Sequence, residues 1–259
     1  MKNFFLYLFN KVNSKNHIVN KCPVCEQSNV KFMPLPDFYK KESRKYGYKH
    51  FGKGEMTALD TYTCSQCGAS DRERLYAYWI DRQIQQINLK KAAKVMHFAP
   101  EEKLSEKLKN LNLFKYLTSD YSMLGVDCKV DITKMPEIES DTFDFFICSH
   151  VLEHVDNDDK AIQELYRITK SGGYGILMAP IIVGLEHTIE DPSMATVAER
   201  WQHFGQYDHV RLYAHDDYVE KLEVNGFVVD QLDIEYFGKK LFKQLGLKET
   251  SILYIVRKL

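Results

Sequence analysis

The chain has 259 residues and a formal net charge of −1, with 35 lysines and arginines against 36 aspartates and glutamates. Its hydrophobic fraction of 44% and charged fraction of 27% are those of an ordinary globular protein. The balance excludes the overall basic excess typical of non-specific nucleic-acid binders, although a local basic patch is compatible with it. No run reaches the roughly 18 apolar residues that a membrane-spanning helix needs.

A short apolar run, FFLYLF at residues 4–9, lies within the first segment, residues 1–17. The run is shorter than the core of most signal peptides, and lysines and asparagines follow it instead of a small-residue cleavage site. We interpret residues 1–17 as an apolar helix that packs on the body of the protein. Weak peripheral membrane contact through residues 4–9 is the alternative. The expected location is cytoplasmic.

Two Cys-x-x-Cys pairs lie near the ends of a predicted small module at residues 18–70. The first pair is Cys22 and Cys25, and the second is Cys64 and Cys67. Two such pairs supply the four thiolate ligands of a closed tetrahedral site, so we expect structural Zn²⁺ in a zinc-ribbon-like module. Four cysteine ligands leave no open position for catalysis. The intervening segment is longer than the roughly 15–20 residues common in such sites, so it must form a substructure of its own.

Residues 71–92 are predicted to form a connecting helix, since apolar residues such as Leu75, Trp79 and Ile80 recur at helical spacing. Across residues 93–259, short β-rich runs alternate with helical patterns, which is typical of βαβ units. The expected fold class is α/β, with a doubly wound, mostly parallel seven-stranded sheet. The predicted strands are Lys94–Ala99, Tyr116–Ser119, Cys128–Ile132, Phe143–Ser149, Tyr174–Pro180, Phe227–Ile234 and Ser251–Arg257.

Three motifs follow one another between Val130 and Pro180. An Asp-x-Phe-Asp turn at 141–144 opens the fourth predicted strand, Leu-Glu-His at 152–154 follows it, and Gly-Gly at 172–173 ends the next helix. This order and spacing resemble those of the class I S-adenosylmethionine-dependent methyltransferases, particularly their broad small-molecule group. The resemblance covers residues 93–259 and implies a Rossmann-like methyltransferase domain with S-adenosylmethionine as its cofactor.

The resemblance and the strand ends together indicate where the cofactor binds, because open α/β sheets bind ligands at the carboxyl ends of their strands. Asp120 ends the second predicted strand and suits a ribose diol, and Asp131 ends the third and suits the adenine amino group. Tyr121 and Ile132 suit the faces of the adenine. Turn or capping carboxylates are the alternative. The expected cofactor-binding residues are His97, Ala99, Pro100, Glu101, Asp120, Tyr121, Asp131, Ile132, Ser149 and His150.

The first loop departs from the family pattern. Where these methyltransferases have Asp/Glu-x-Gly-x-Gly, this chain reads His-Phe-Ala-Pro-Glu at 97–101. Ala99 keeps one small residue, whereas Glu101 replaces a glycine that lets the backbone approach the cofactor. The segment resembles a variant of the same five residues in related methyltransferases. Glu101, at a helix start, suits the cofactor's ammonium group, with simple helix capping as the alternative.

The segment from Ile181 to Tyr213 follows the fifth predicted strand and is dense in arginine, histidine and aromatic residues. Loops at this edge usually build the substrate pocket, and residues 204–211 resemble a Phe-Gly-Gln-x-Asp-His-x-Arg signature of some methyltransferases of this group. The expected substrate-binding residues are Arg200, Phe204, Gln206 and Arg211. The expected catalytic residues are His209 as a general base, Asp208 as the group that orients it, and His150 facing the sulfonium or the acceptor.

Methyl transfer to a small or medium polar acceptor, such as an oxygen of a sugar or another metabolite, is the leading functional hypothesis. An RNA methyltransferase is one alternative, because some ribosomal RNA methyltransferases pair such modules with the same fold and the segment between the cysteine pairs is basic and aromatic. A non-catalytic scaffold that lost cofactor binding is another. The basic and aromatic residues concerned are Lys40, Lys41, Arg44, Lys45, Lys49, Lys53, Tyr39, Tyr46, Tyr48 and Phe51.

Overall fold

The computed structural model describes residues 19–86 and 93–259. The apolar helix expected at residues 1–17, the membrane contact considered for residues 4–9 and the end of the connecting helix lie outside the described residues. Within the two described ranges, no helix is both long enough and apolar enough to cross a membrane.

Seven strands form one sheet. They are β1 (Lys94–Phe98), β2 (Lys115–Asp120), β3 (Cys128–Lys129), β4 (Phe143–Ser149), β5 (Thr169–Met178), β6 (Val228–Leu232) and β7 (Leu253–Arg257). Their order across the sheet is β6-β7-β5-β4-β1-β2-β3. Neighbouring strands pair in parallel except β7, which runs antiparallel to both β5 and β6. The predicted fold class, a doubly wound and mostly parallel seven-stranded sheet, is therefore confirmed, and its strand order reverses between β1 and β4.

Helices alternate with these strands, and short strand pairs complete the structure. The helices are α1 (Asp37–Tyr46), α2 (Asp71–Gln86), α3 (Glu102–Asn110), α4 (Asp158–Ile168), α5 (Val197–Phe204), α6 (His215–Val224), α7 (Ile234–Phe237) and α8 (Lys239–Leu245), with a 3₁₀ turn at Leu152–His154. The short pairs are Lys21–Cys22 with Gln27–Ser28, Phe32–Met33 with Thr63–Cys64, and Ile189–Glu190 with Arg211–Leu212. Leu104 and Leu108 of α3 and Leu165 of α4 are buried, as their helical spacing predicts.

Only β4 has the predicted bounds; the other strands begin or end at different residues, and the differences at β3 and β5 have clear physical reasons. Strand β3 is shorter than expected because the chain turns at Asp131, whose carboxylate accepts hydrogen bonds from Thr133. Strand β5 begins directly after α4, so Gly172 and Gly173 lie inside the strand and do not end the helix. A Cβ at Gly173 would lie 2.8 Å from the carbonyl oxygen of Lys170, which explains the glycine at that position.

Gly175 of β5 lies opposite Phe146 of β4 in the middle of the sheet. A Cβ at Gly175 would overlap the Phe146 ring, whose side chain is fully buried. We expect Gly175→Ala to lower the free energy of unfolding by about 1–3 kcal/mol, because a packed core has no space for the displaced ring. Gly54→Ala is the matched control, since its Cβ would meet Thr57 only at 3.5 Å or more. Urea unfolding compares the two variants, and equal stability would contradict the prediction.

The residues between the two cysteine pairs are built into the body of the protein. Phe32 and Met56 belong to the same buried cluster as the residues of β4 and β5. The Tyr254 hydroxyl donates to the buried Glu55 carboxylate at 2.9 Å, and Lys248 Nζ donates to the Gly54 carbonyl at 2.6 Å. The module and the sheet therefore share one core, and the position of the module is fixed relative to the sheet.

Candidate active site

A cavity of about 650 Å³ opens at the carboxyl ends of β1, β2 and β4. This is the edge at which doubly wound sheets bind ligands, beside the point where the strand order reverses. Of the residues predicted to bind the cofactor, those that line the cavity are Ala99, Asp120, Tyr121, Asp131, Ile132 and His150. Lining residues that the sequence analysis did not name as cofactor contacts include Thr133, Asp156, Asn157 and Lys160.

Asp120 and Asp131 each use one carboxylate oxygen to fold their own loop. Oδ1 of Asp120 accepts hydrogen bonds from the backbone nitrogens of Ser122 and Met123 at 2.7 and 2.6 Å. Oδ1 of Asp131 accepts from the backbone nitrogen and the hydroxyl of Thr133 at 2.9 and 2.7 Å. Oδ2 of both carboxylates has no hydrogen-bond partner among the described residues, so each can accept a hydrogen bond from a ligand in the cavity.

Ala99 occupies the place of a family glycine and also adopts a glycine-like backbone. Its φ is +45°, in the left-handed region that non-glycine residues rarely enter. Its backbone nitrogen donates to the carbonyl of Ser119 at 2.8 Å, which ties the first loop to the end of β2. The loop therefore keeps the bend that glycine normally supplies, with a methyl group as the only added bulk.

The side chain of His97 does not reach the cavity, contrary to the cofactor contact expected for it. It is fully buried, with Nδ1 2.6 Å from the Tyr116 hydroxyl and Nε2 2.9 Å from Oε2 of Glu101. Oε1 of Glu101 lies 3.5 Å from Nε of Arg72. Burial alone would raise the pKa of Glu101, but its contact with His97 lowers that pKa to about 2. Glu101 thus stabilises the first loop through its contacts with His97 and Arg72. Neither Glu101 nor Pro100 lines the cavity.

The end of β4 separates the buried sheet from the cavity. Ser149 is buried, and its hydroxyl lies 3.1 Å from the Tyr76 hydroxyl, so it supports the loop from beneath and does not line the cavity. The next residue, His150, has a φ of +56°, and its backbone nitrogen donates to the carbonyl of Met178 at 2.9 Å. This turn directs the chain out of the sheet and presents the His150 ring at the cavity wall.

A second cavity, of about 360 Å³, adjoins the first, and His150 and His154 line both. One wall comes from the segment between the cysteine pairs and includes Tyr39, Tyr48 and Tyr62. The opposite wall comes from the segment after β5. Helices α1 and α5 join the two segments through Tyr46 and Trp201, whose rings stack with centroids 5.9 Å apart. Residues of the cysteine module therefore form part of the pocket beside the cavity at the strand ends.

Three histidines surround a buried carboxylate between the two cavities. Glu153 has no exposed surface, and its Oε1 lies 3.1 Å from Nδ1 of His150 and 3.9 Å from Nε2 of both His154 and His209. Burial would raise the pKa of Glu153, but the three rings together lower it to about 2, so the carboxylate is ionised. Burial lowers the pKa of His209 to about 4, so that ring is neutral near pH 7.

The predicted pair of Asp208 and His209 does not form. Oδ2 of Asp208 lies 3.3 Å from Nδ1 of His154 instead, because His154 projects from the 3₁₀ turn toward the Asp208 loop. Nδ1 of His209 is buried and has no hydrogen-bond partner in the described part of the chain. His209 does line the second cavity, as expected for a residue on the acceptor side, while Asp208 lines the first.

Arg211 is not available to a substrate, contrary to the prediction. Its side chain is 1% exposed, and Nη1 donates to the carbonyls of Leu152 and Val155 at 2.6 Å each. Nε and Nη2 donate to the carboxylate of Glu190 at 3.0 Å. The guanidinium therefore stabilises the 3₁₀ turn that carries Glu153.

The other predicted substrate residues divide between the pocket and the surface. Phe204 and Gln206 line the second cavity. Arg200 lies outside it, with Nε donating to the carbonyl of Met194 at 3.3 Å. The pocket also contains Arg72 and His50, which the sequence analysis did not propose as site residues. The spacing of these two residues gave no signal, because only the folded module brings them to the sheet edge.

The four cysteines of the two pairs come together, and each sulfur lies within 4.8 Å of the other three. The sulfurs of Cys22 and Cys67 are 3.7 Å apart. A tetrahedral zinc ion with Zn–S bonds of about 2.3 Å places its sulfurs about 3.8 Å apart, so this geometry fits the ion. The cysteine pairs expected to share a metal are thus brought to one point, although they lie at opposite ends of the module.

Comparisons with known proteins found one family model and several solved structures of low sequence identity. Residues 84–177 match the family model of a methyltransferase domain. The CMeT domain of the citrinin polyketide synthase is 15% identical with a TM-score of 0.50, over 76% of this chain and 54% of that one. The YcgJ protein of Bacillus subtilis is 12% identical with a TM-score of 0.44, over 70% and 99%. An S-adenosylmethionine-dependent methyltransferase of Mesorhizobium loti is 13% identical with a TM-score of 0.41, over 68% and 96%. No curated protein matches the sequence.

At 15% identity, the likeness to the CMeT domain bears on the fold alone. The matched domain, the strand order and a cavity at the switch point together define the class of protein: the chain is an S-adenosylmethionine-dependent methyltransferase.

Proposed function

We propose that this enzyme transfers the methyl group of S-adenosylmethionine to a hydroxyl oxygen of a small or medium polar acceptor, such as a sugar or another metabolite. The observation that carries the proposal is the pair of adjoining cavities with His150 and His154 on their common wall. The cofactor occupies the cavity at the strand ends, and the acceptor occupies the cavity beside it. Methyl transfer is an in-line displacement at the sulfonium, so adjoining sites that align the two reactants supply much of the catalysis.

Within this proposal, Oδ2 of Asp120 accepts from the ribose hydroxyls and Oδ2 of Asp131 accepts from the adenine amino group. Tyr121 and Ile132 lie on the faces of the adenine. His150 is the residue best placed to take the acceptor's proton, because its ring lines both cavities and the ionised carboxylate of Glu153 lies 3.1 Å behind it. His209 completes the wall on the acceptor side.

The shape and lining of the second cavity favour a small acceptor over RNA. Its volume of about 360 Å³ suits a single sugar ring or a metabolite of similar size. Tyr39, Tyr46 and Tyr48 are half-buried: Tyr39 and Tyr48 line the cavity, and the Tyr46 ring stacks on Trp201. An RNA grip of the stacking type needs such rings on the surface beside the lysines.

The proposal includes one structural zinc ion on Cys22, Cys25, Cys64 and Cys67. The four thiolates would complete its tetrahedron and leave no site for a substrate, so the ion would stabilise the module at residues 18–70. That module then forms one wall of the acceptor pocket, and residues 71–92 connect it to the methyltransferase domain at residues 93–259. The cytoplasmic location stays a prediction.

The test uses the zinc-loaded full-length chain with S-adenosylmethionine that carries a tritiated methyl group. Cell extract is divided into a fraction of small molecules and a fraction of total RNA, and each is supplied as acceptor. We expect label in a product of the small-molecule fraction that is lost when its hydroxyls are chemically blocked. Label only in RNA, removed by nuclease, would overturn the proposal in favour of the RNA alternative.

His150→Asn is expected to slow this transfer by about 10²–10⁴-fold, the usual contribution of a positioned acid or base. Asparagine suits the left-handed backbone at this position, so the variant keeps the turn while removing the imidazole. S-adenosylmethionine affinity, measured by calorimetry, should change little. An unchanged transfer rate in a folded variant would show that another residue takes the proton.

A further inference from the structure

We propose that Glu153, His154 and His209 form a binding site for one divalent transition-metal cation between the cofactor and acceptor cavities. The site is separate from the four-cysteine cluster. Its assignment to the acceptor's hydroxyl rests on the proposed function, whereas the binding of the cation rests on the geometry alone.

The first observation is the surroundings of a buried carboxylate. Glu153 is fully buried, and among the described residues neither of its carboxylate oxygens makes a hydrogen bond of good geometry, although Nδ1 of His150 lies 3.1 Å from Oε1. Within 4.0 Å of it, the described residues offer three imidazoles and no lysine or arginine. Burying a carboxylate is costly unless it is fully paired, and a cation between Glu153 and the neighbouring rings would supply a positive charge that the imidazoles supply only when protonated.

The second observation is the position of the ligand atoms. Atoms of Glu153, His154 and His209 that can bind a metal all lie within 4.8 Å of one another. Bonds of about 2.0–2.2 Å to a single cation require ligand atoms about 3–3.5 Å apart. Small side-chain rotations that move the ligand atoms by about 1 Å would therefore complete the site. His154 is one-third exposed and has room for such a rotation. Two histidines and one carboxylate are the ligand set typical of first-row divalent ions.

The third observation is the support behind the ligands. Metal-binding histidines usually donate their second ring nitrogen to a carboxylate, which fixes the ring and raises its basicity. The same groups are close together at His154, whose Nδ1 lies 3.3 Å from Oδ2 of Asp208 and whose Nε2 lies 3.9 Å from Oε1 of Glu153. The backbone nitrogen of Val210 donates to the carbonyl of Glu153 at 2.9 Å, which fixes His209 beside the turn. The three ligands are therefore held by contacts that do not involve the cation.

Three protein ligands leave coordination positions open. Glu153, His154 and His209 all line the acceptor cavity, so a hydroxyl of the acceptor could occupy one of these positions. A bound cation stabilises the anionic form of an oxygen ligand and thereby eases the loss of its proton. In this arrangement the cation positions the acceptor oxygen and His150 receives the proton.

The test is the titration of the zinc-loaded full-length chain with Co²⁺ alone, followed by visible absorption and by metal analysis. We expect one further cation per chain, with the weak bands of cobalt bound to nitrogen and oxygen and without the strong absorption of cobalt bound to thiolates. Asp208→Asn should weaken binding by about 10–100-fold, and Glu153→Gln and His209→Gln should weaken it more. His187→Gln is the matched control, since His187 is exposed and lies outside the cluster.

Two results would overturn the inference: no Co²⁺ uptake beyond the cysteine site, or equal uptake in the wild type and in folded Glu153→Gln. Asp208→Asn keeps the test decisive if Glu153→Gln does not fold, because Asp208 is partly exposed. Uptake is measured without an acceptor, so its failure is distinct from a failure of methyl transfer. Transfer that persists in metal-free enzyme would leave the proposed function standing and reject a role for the cation in the reaction.

Discussion

Asp120→Ala is expected to weaken S-adenosylmethionine binding by about 100-fold or more. Asp120 lines the cofactor cavity, and its Oδ2 has no partner among the described residues, so it can accept hydrogen bonds from both ribose hydroxyls. Each hydrogen bond to a charged group contributes about 1.5–3 kcal/mol, and the loss of two corresponds to at least about 3 kcal/mol. Calorimetry with S-adenosylmethionine and S-adenosylhomocysteine measures the change, which should be similar for both because they share the ribose.

The controls separate cofactor contact from loop folding. Asp120→Asn keeps an oxygen for the Ser122 and Met123 nitrogens and should therefore lose less affinity than the alanine variant. Asp127→Ala is the matched control at the same edge of the sheet, since Asp127 accepts hydrogen bonds from Thr118 and does not line the cavity. Wild-type affinity in a folded Asp120→Ala variant would remove this carboxylate from the cofactor site.

The parts of the fold that the sequence predicts best are those encoded locally. Strand β4 occupies the same residues as its prediction, because a run of apolar β-formers between turn residues has few alternatives. The two Cys-x-x-Cys pairs were also predicted to converge, since two such pairs in one module commonly bind a single zinc ion. Strand β3 was overestimated because the side chain of Asp131 competes with the sheet for the backbone of its own loop.

The roles of polar residues were harder to predict, because a sequence does not show their partners. Arg211 was assigned to substrate binding from its charge, but its guanidinium is used by carbonyls of the 3₁₀ turn and by Glu190. His97 was assigned to the cofactor from its position, but it lies beneath the loop against Glu101. Arg211 is held by residues that are distant from it in the sequence, and His97 is held by a residue of its own loop on the side away from the cavity. These contacts decide the role of each residue.

The acceptor pocket itself could not be predicted from local patterns. Its walls combine Tyr48 of the cysteine module with His209, residues that only the shared core brings together. Glu153 was visible as part of a family motif, but its special environment arises from three histidines that converge around it after folding. The motif indicated the class of enzyme, and the three-dimensional arrangement indicates what the residue does.

Cys64→Ser is expected to remove the zinc ion proposed for the module and to destabilise the protein strongly. Cys64 is buried, and its sulfur is one of four that lie within 4.8 Å of one another. Structural zinc contributes roughly 10–16 kcal/mol in isolated zinc-finger peptides. Even a fraction of that is comparable to the total stability of a domain, about 5–15 kcal/mol. Metal analysis and thermal unfolding measure the two effects. Cys128→Ser is the control, because Cys128 lies outside the cluster.

The two cavities should respond differently to the loss of zinc. The cofactor cavity is lined by the ends of β1 and β2, by the loops after β1, β2, β3 and β4, and by Lys160 and Asp208, and no described residue of the cysteine module lines it. The acceptor cavity has Tyr39, Tyr48 and Tyr62 of that module in its wall. Protein that stays folded without zinc should therefore bind S-adenosylmethionine with an affinity within about tenfold of the wild type, which corresponds to a change of at most about 1.4 kcal/mol in binding free energy. The same protein should transfer no methyl group.

Cys64→Ser protein that retains one zinc per chain and melts like the wild type would refute the four-cysteine site. Equal loss of cofactor binding and transfer would show that the module supports the whole fold and not the acceptor pocket alone.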